Sequence, residues 1–134
     1  MALRLPPSAR GPITVGALGT HFFPAGTYLY VGSAWGPGGL QARISRHLRG
    51  SLNAHWHVDY LRKHAQPIAV FLAPGTRLEC AWARYLTQHR GTQIVVPRFG
   101  ASDCRCETHL FFLHKISLDV LELPGGPERQ LIEA

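Results

Sequence analysis

Acidic residues are scarce in this sequence. Eight aspartates and glutamates face fourteen lysines and arginines, a formal net charge of +6 with histidine neutral. Twelve of the fourteen are arginine, the side chain whose planar fork grips phosphate through two hydrogen bonds. The imbalance points to a polyanionic partner, nucleic acid foremost, although arginine-for-lysine usage also follows genome composition. Cysteine is sparse as well. Cys80, Cys104 and Cys106 are an odd number with no framework spacing, which excludes a disulfide-stapled secreted scaffold and reads as reduced thiols. No apolar run approaches the roughly 20 residues that span a bilayer. The opening MALRLPPSAR lacks the apolar centre of a signal peptide. No membrane partner and a cytoplasmic location are therefore expected. Internal repeats and long linkers are missing too.

What remains is a chain of 134 residues with 46% hydrophobic content, enough for one globular domain. That domain is expected over residues 1–123, with 124–134 as a frayed tail. GPITVG, GTHFF and GTYLYVG read as short strands punctuated by glycine. In GLQARISRHLRG, Leu40, Ile44 and Leu48 recur at helical spacing and Gly50 suits the C-cap. NAHWHVDYLRKHAQP predicts a second short helix ending before Pro67, and IAVFL an apolar strand. TRLECAWARYLTQHRG is the clearest helix. Thr76 and Glu79 have capping-box spacing, and Leu78, Ala81, Trp82, Tyr85 and Leu86 form a stripe. QIVV and HLFFLHKI read as strands. The pattern is an α+β (mixed α/β) domain whose early strands pair antiparallel through short turns.

The stretch AGTYLYVGSAWGPGGLQARISRHLRG concentrates the chemistry. Strand alternation puts Tyr28 and Tyr30 on one face, where they either pack at the core rim or line a cleft, and Leu29 and Val31 on the other. Gly32, Gly36, Gly38 and Gly39 allow tight turns or close backbone approach. A helix beginning near Gly39 aims its first amides at this loop, a geometry that favours an anion. Arg43 and His47 border the apolar stripe of that helix, from where they can reach a cleft beside the sheet. Arg46 and Arg49 point further outward, as solvated surface or phosphate contacts.

These residues resemble the GIY-YIG nuclease family, through YVG at Tyr30–Gly32, GLQARISRH with Arg43 and His47, and Glu79 on the third predicted helix. The resemblance is closer to the Uri-type branch, in YVGSAWGPGGLQARISRHLR, HWHVDYL, LECAWA and FGASDCRCETHLFF, and spans most of residues 11–116. It implies a small central, mostly antiparallel sheet flanked by helices, and a metal-dependent endonuclease acting on DNA. In that reading Glu79 holds one Mg²⁺ or Mn²⁺, and Arg43 grips the scissile phosphate. Tyr30, with His47, orients or deprotonates water, while Arg46, Arg49 and Gly39 contact nucleic acid. One departure from the family pattern stands out. Its first Gly-x-Tyr, on a preceding strand, has no counterpart here, because GTY at Gly26–Tyr28 overlaps the second motif. MALRL resembles the tail of the absent strand, which leaves three explanations: the first tyrosine is lost, it lies upstream, or Tyr28 substitutes for it.

Other readings stay open. Glu79 also suits a helix cap, Arg43 a surface position and His47 a packed one. His55, His57 and Asp59, with Asp103, Cys104, Cys106 and His109, form a second polar cluster. It reads as a hydrogen-bonded network, and zinc is not expected there because Cys-x-Cys is not the usual ligand spacing. Trp56 is core or a stacking surface. Against the nuclease stand a non-catalytic nucleic-acid-binding module of the same fold, which the lacking first tyrosine favours, and a small zinc-stabilised interaction domain.

Overall fold

The computed structural model describes residues 1–32, 39–50, 56–73, 78–102 and 104–132. Strand β1 (Ala2–Leu5) is followed by the hairpin β2 (Gly11–Thr14) and β3 (Thr20–Phe23), then β4 (Gly26–Tyr30), helix α1 (Gly39–Arg49) and helix α2 (His57–Arg62). Strand β5 (Gln66–Leu72), helix α3 (Glu79–Gln88), β6 (Thr92–Gln93), β7 (Leu110–Leu113) and β8 (Glu128–Leu131) complete the order. Six strands form one antiparallel sheet, β6-β7-β4-β1-β5-β8, and β2 pairs with β3 apart from it. This is the expected α+β architecture. Among the described residues no helix is long and apolar enough to cross a membrane.

The sheet is covered on both faces, and the strand sequences say why. In β4, Tyr28 and Tyr30 join Leu3, Leu5, Leu110 and Phe112 in one core, closed by Val58 and Leu61 of α2 and by Ile13, Val15 and Phe23 around the hairpin. Leu29 and Val31 join Ala2, Ala69, Phe111 and Leu113 in a second core, closed by Trp82, Ala83 and Leu86 of α3 and by Leu121 and Leu123. Strands buried twice lose the polar face that a half-exposed strand shows. β1 opposes Leu3 to Tyr28 and Ala2 to Leu29, and the ladder continues through Tyr30 N–H to the Met1 carbonyl at 2.9 Å.

Two expectations change. Of QIVV only Gln93 lies in a strand, the two-residue β6: the chain leaves the sheet after Gln93, and Val96 is buried in the core beyond it with its carbonyl accepting the Thr108 hydroxyl at 3.0 Å. The expected frayed tail contributes β8, which pairs along β5 from Leu72↔Glu128 to Ala69↔Leu131. All four of its side chains are exposed, so an edge strand passes for a polar tail. Gly50 does close α1: it takes a left-handed φ of 74° and its N–H donates to the Arg46 carbonyl at 3.1 Å, as a helix-terminal glycine does.

Candidate active site and cysteine cluster

Helix α1 leans over the end of β4, and three expected residues meet there. Tyr30, Arg43 and His47 line one cavity of about 60 Å³, together with Ile44, Phe71 and Trp82. That volume holds a few waters. The Tyr30 and His47 rings meet edge-on, with centroids 5.7 Å apart. His47 is buried, and among the described residues its Nδ1 has no hydrogen-bond partner. Burial, then the positive charges of Arg43 and Arg46, hold the His47 imidazole down at about 4. Burial pushes the Tyr30 phenol up to about 12, against the opposing pull of Arg43. At neutral pH the cavity therefore holds a neutral imidazole and a protonated phenol.

The arginines divide. Arg43 is half-buried, with its guanidinium 4.3 Å from the Trp56 ring centroid, a cation–π stack that fixes its plane. Arg46, expected to face solvent or phosphate, instead clamps the buried carboxylate of Asp59 with bonds of 3.0 and 2.9 Å. Asp59 also accepts the Trp56 N–H at 2.8 Å, so one carboxylate starts α2 and ties it to α1. From α2, Arg62 donates to the His47 and Leu48 carbonyls at 3.1 and 2.6 Å, satisfying the C-terminus of α1. Arg49 is exposed and folds back on the Ser45 carbonyl. Gly39 opens α1 with a left-handed φ of 63°.

Tyr28 does not reach the cavity. It is fully buried, and its hydroxyl donates to the Pro24 carbonyl at 2.5 Å. Its ring packs between Phe23 and Phe112. Burial raises its pKa above the usual tyrosine range. Glu79 is the first residue of α3, one turn before Trp82, and is half-buried. The residue before the helix is Leu78, with no side-chain cap bond. Glu79 thus stands at the first helical position and not at the third, which a capping box requires. Thr76, the other half of that expected box, lies outside the described residues, as do Gly36 and Gly38. Among the described residues Glu79 has no ion-pair partner.

The second polar cluster splits in two. His57 belongs to the packing of α2: its Nδ1 accepts the Gly100 N–H at 2.7 Å and its ring lies against Phe99. Burial lowers its pKa. His55 and Asp103 lie outside the described residues. Cys104, Cys106 and His109 gather instead around Cys80 of α3, whose thiol was not among the expected site residues. The three sulfurs and one ring nitrogen all lie within 4.8 Å of one another, a Cys₃His group that could hold a metal ion. Cys104 Sγ is 3.4 Å from His109 Nε2. Burial raises the Cys106 thiol to about 12, and the neighbouring cysteines add to the shift. The group adjoins the cavity through Gly100, which has a φ of +67°. A Cβ there would sit 2.9 Å from Tyr30 Cε1 and 3.2 Å from His109 Cβ, so only glycine lets Tyr30 and His109 pack this closely.

No curated protein and no solved structure matches the chain. A family model matches residues 2–123, almost the whole of the sheet and all three helices, and the chain belongs to that family, described as domain of unknown function DUF123.

Proposed function

We propose that this protein is a metal-dependent endonuclease that hydrolyses phosphodiester bonds in DNA at the cavity between α1 and β4. The observation that supports the reading most is the convergence of Tyr30, Arg43 and His47 on that one cavity, in a chain of net charge +6. Arg43, its guanidinium plane held by Trp56, offers paired donors to the oxygens of a scissile phosphate and offsets the charge that grows on them. Tyr30 stays protonated at neutral pH, so its hydroxyl orients the attacking water and is not a phenolate base. His47 stays neutral and keeps Nδ1 without a partner among the described residues. It takes the proton as the water oxygen bonds to phosphorus and the bond to the leaving oxygen breaks. A half-buried carboxylate without an ion-pair partner among the described residues fits a hard cation that retains most of its waters. Glu79 would hold one Mg²⁺ or Mn²⁺, which supplies neutralising charge at the phosphate when bound.

A second reading, a nucleic-acid-binding module that does not cut, is favoured by Tyr28. Its hydroxyl is committed to Pro24, which leaves the cavity a single tyrosine. Nicking of plasmid DNA with Mg²⁺ or Mn²⁺ separates the two. The parent should nick. Glu79→Gln should stop nicking while DNA binding persists and stability changes by less than about 1 kcal/mol, the range of losing part of a cap. Arg43→Ala should nick poorly and bind more weakly. A parent that binds DNA without nicking it supports the module, and a Glu79→Gln variant as fast as the parent removes Glu79 from the site.

A further inference from the structure

We propose that Cys80, Cys104, Cys106 and His109 form a structural zinc site that clamps the first turn of α3 to the loop before β7. This inference is independent of the nuclease reading and reverses the expectation drawn from Cys-x-Cys spacing. The missing fourth ligand in that spacing comes from Cys80, 24 residues upstream of Cys104 and on a different element.

Geometry and donor chemistry agree. Tetrahedral zinc with Zn–S near 2.3 Å and Zn–N near 2.0–2.1 Å places its ligand atoms about 3.5–3.8 Å apart. The pair Cys104 Sγ and His109 Nε2 already stands at 3.4 Å, and no pair in the group exceeds 4.8 Å. Side-chain rotations that move each sulfur by about 1 Å or less complete the tetrahedron. Three thiolates and an imidazole are soft and borderline donors, which select zinc over Mg²⁺, Ca²⁺ or Mn²⁺. The four ligands are also half-buried or buried, as suits a closed structural site, and no open coordination position remains.

The loop is shaped for ligation by contacts that do not involve the ligand atoms. Arg98 adopts a left-handed φ of 67°, unusual for a non-glycine residue. From that position its guanidinium donates to the Ala101, Cys104 and Cys106 carbonyls at 2.5, 2.7 and 2.6 Å. One side chain thus holds the backbone of both loop cysteines. The same guanidinium places positive charge beside a group that, as Zn(Cys⁻)₃His, would carry a net charge of −1. His109 is fixed on both sides of its backbone, its N–H bonded to Phe99 O at 2.7 Å and its carbonyl to Val31 N at 2.9 Å. Access is available too: Cys80 and Cys106 open onto a cavity of about 490 Å³ lined also by Arg84 and Glu107.

The site would add a tie at the start of α3 to the apolar contacts that dock the helix on the sheet. Its two ends are Cys80, next to Glu79, and His109, which packs across Gly100 from Tyr30. Zinc would therefore set the distance between the first turn of α3 and the cavity.

The test uses the full chain, purified under reducing conditions. Elemental analysis should give close to one zinc per chain. Removal by a strong chelator should lower the melting temperature by more than about 10 °C, and zinc alone should restore it. The reduced apo-protein titrated with Co²⁺ should show the visible ligand-field bands of a tetrahedral site and thiolate charge-transfer absorption, saturating at one equivalent. Cys80→Ser should weaken Co²⁺ binding by more than the roughly 10–100-fold that outer-shell changes cost. The cobalt titration of the parent stands even if that variant does not fold. The inference is overturned by less than about 0.1 zinc per chain together with no cobalt spectrum from reduced thiols, by iron in place of zinc, by a disulfide among the three cysteines, or by a folded Cys80→Ser that binds Co²⁺ as the parent does.

Discussion

Acid should unfold this protein partly through one side chain. His47 is buried, its Nδ1 lacks a partner among the described residues, and Arg43 and Arg46 stand beside it. Its imidazole sits near 4 in the folded chain, against about 6.5 when unfolded. The folded value is the lower of the two, so the unfolded chain takes up the proton first as pH falls. The stabilisation is present in full above about pH 6.5 and is lost progressively down to about pH 4. The gap of about 2.5 units at 1.36 kcal/mol per unit gives on the order of 3 kcal/mol, and linkage puts about 2 kcal/mol of it above pH 5. His57 and His109 are shifted in the same direction, so the parent alone cannot assign the slope. His47→Leu isolates it, since leucine does not titrate and abandons no Nδ1 hydrogen bond to any of the described residues. Urea titrations of both proteins between pH 7.5 and 4.5 should show the variant losing about 2–3 kcal/mol less than the parent. An NMR titration should find the His47 ring still neutral at pH 5. Parallel stability curves, or a His47 ring that titrates near 6.5, would refute the argument.

The Arg46–Asp59 pair should respond asymmetrically to truncation. Asp59 is 1% exposed and Arg46 29%, so Arg46 can re-enter water when its partner goes and Asp59 cannot. Arg46→Ala should therefore cost more than Asp59→Ala in chemical denaturation, about 3–5 kcal/mol against about 2–3 kcal/mol; equal costs would mean the carboxylate is less enclosed than it stands here. DNA binding should weaken with salt. With Arg46 and Arg62 engaged internally, about three phosphate contacts remain for Arg43, Arg49 and their neighbours, and log K on duplex DNA should fall with log salt at a slope near −3. A flat response in a binding titration would remove the electrostatic footprint.

Elements with a local signature were legible in the sequence. The stripe Trp82, Tyr85, Leu86 specified α3, and Gly50 specified the end of α1. Strand and helix periodicity set Tyr30 on one strand face and Arg43 and His47 beside the apolar stripe of α1, within reach of a cleft, without fixing that the three meet at one cavity. What was hidden depends on partners distant along the chain. A sheet covered on both faces erases the alternation that would have shown Tyr28 entering the core. Strand β8, Glu-Arg-Gln-Leu at an exposed edge, carries no apolar face to detect. Arg46 meets Asp59 across thirteen positions, and a helical wheel could only aim it outward. Cys80 had no spacing motif to announce it, because its companions arrive on a loop that returns beside α3 only after β6. The capping-box reading of Glu79 failed through register: a helix that starts two residues later turns a third position into a first.

The polar ties of α1 have a dynamic consequence. Among its described side chains only His47 is buried; the helix is also tethered through Arg43 to Trp56, through Arg46 to Asp59 and through Arg62 to two of its last carbonyls. The amides of β1 and β4, at the centre of the six-stranded sheet, should exchange with solvent hydrogen mainly through global unfolding. Those of α1 should exchange through a local opening that breaks a few charged contacts and parts no strands, and hydrogen-exchange measurements should find their protection falling with salt and acid while that of the sheet holds. The cavity of about 60 Å³ beneath α1 admits water. The helix that carries Arg43 and His47 is thus also one wall of the cavity, and the polar ties that hold it set how firmly those two side chains are placed.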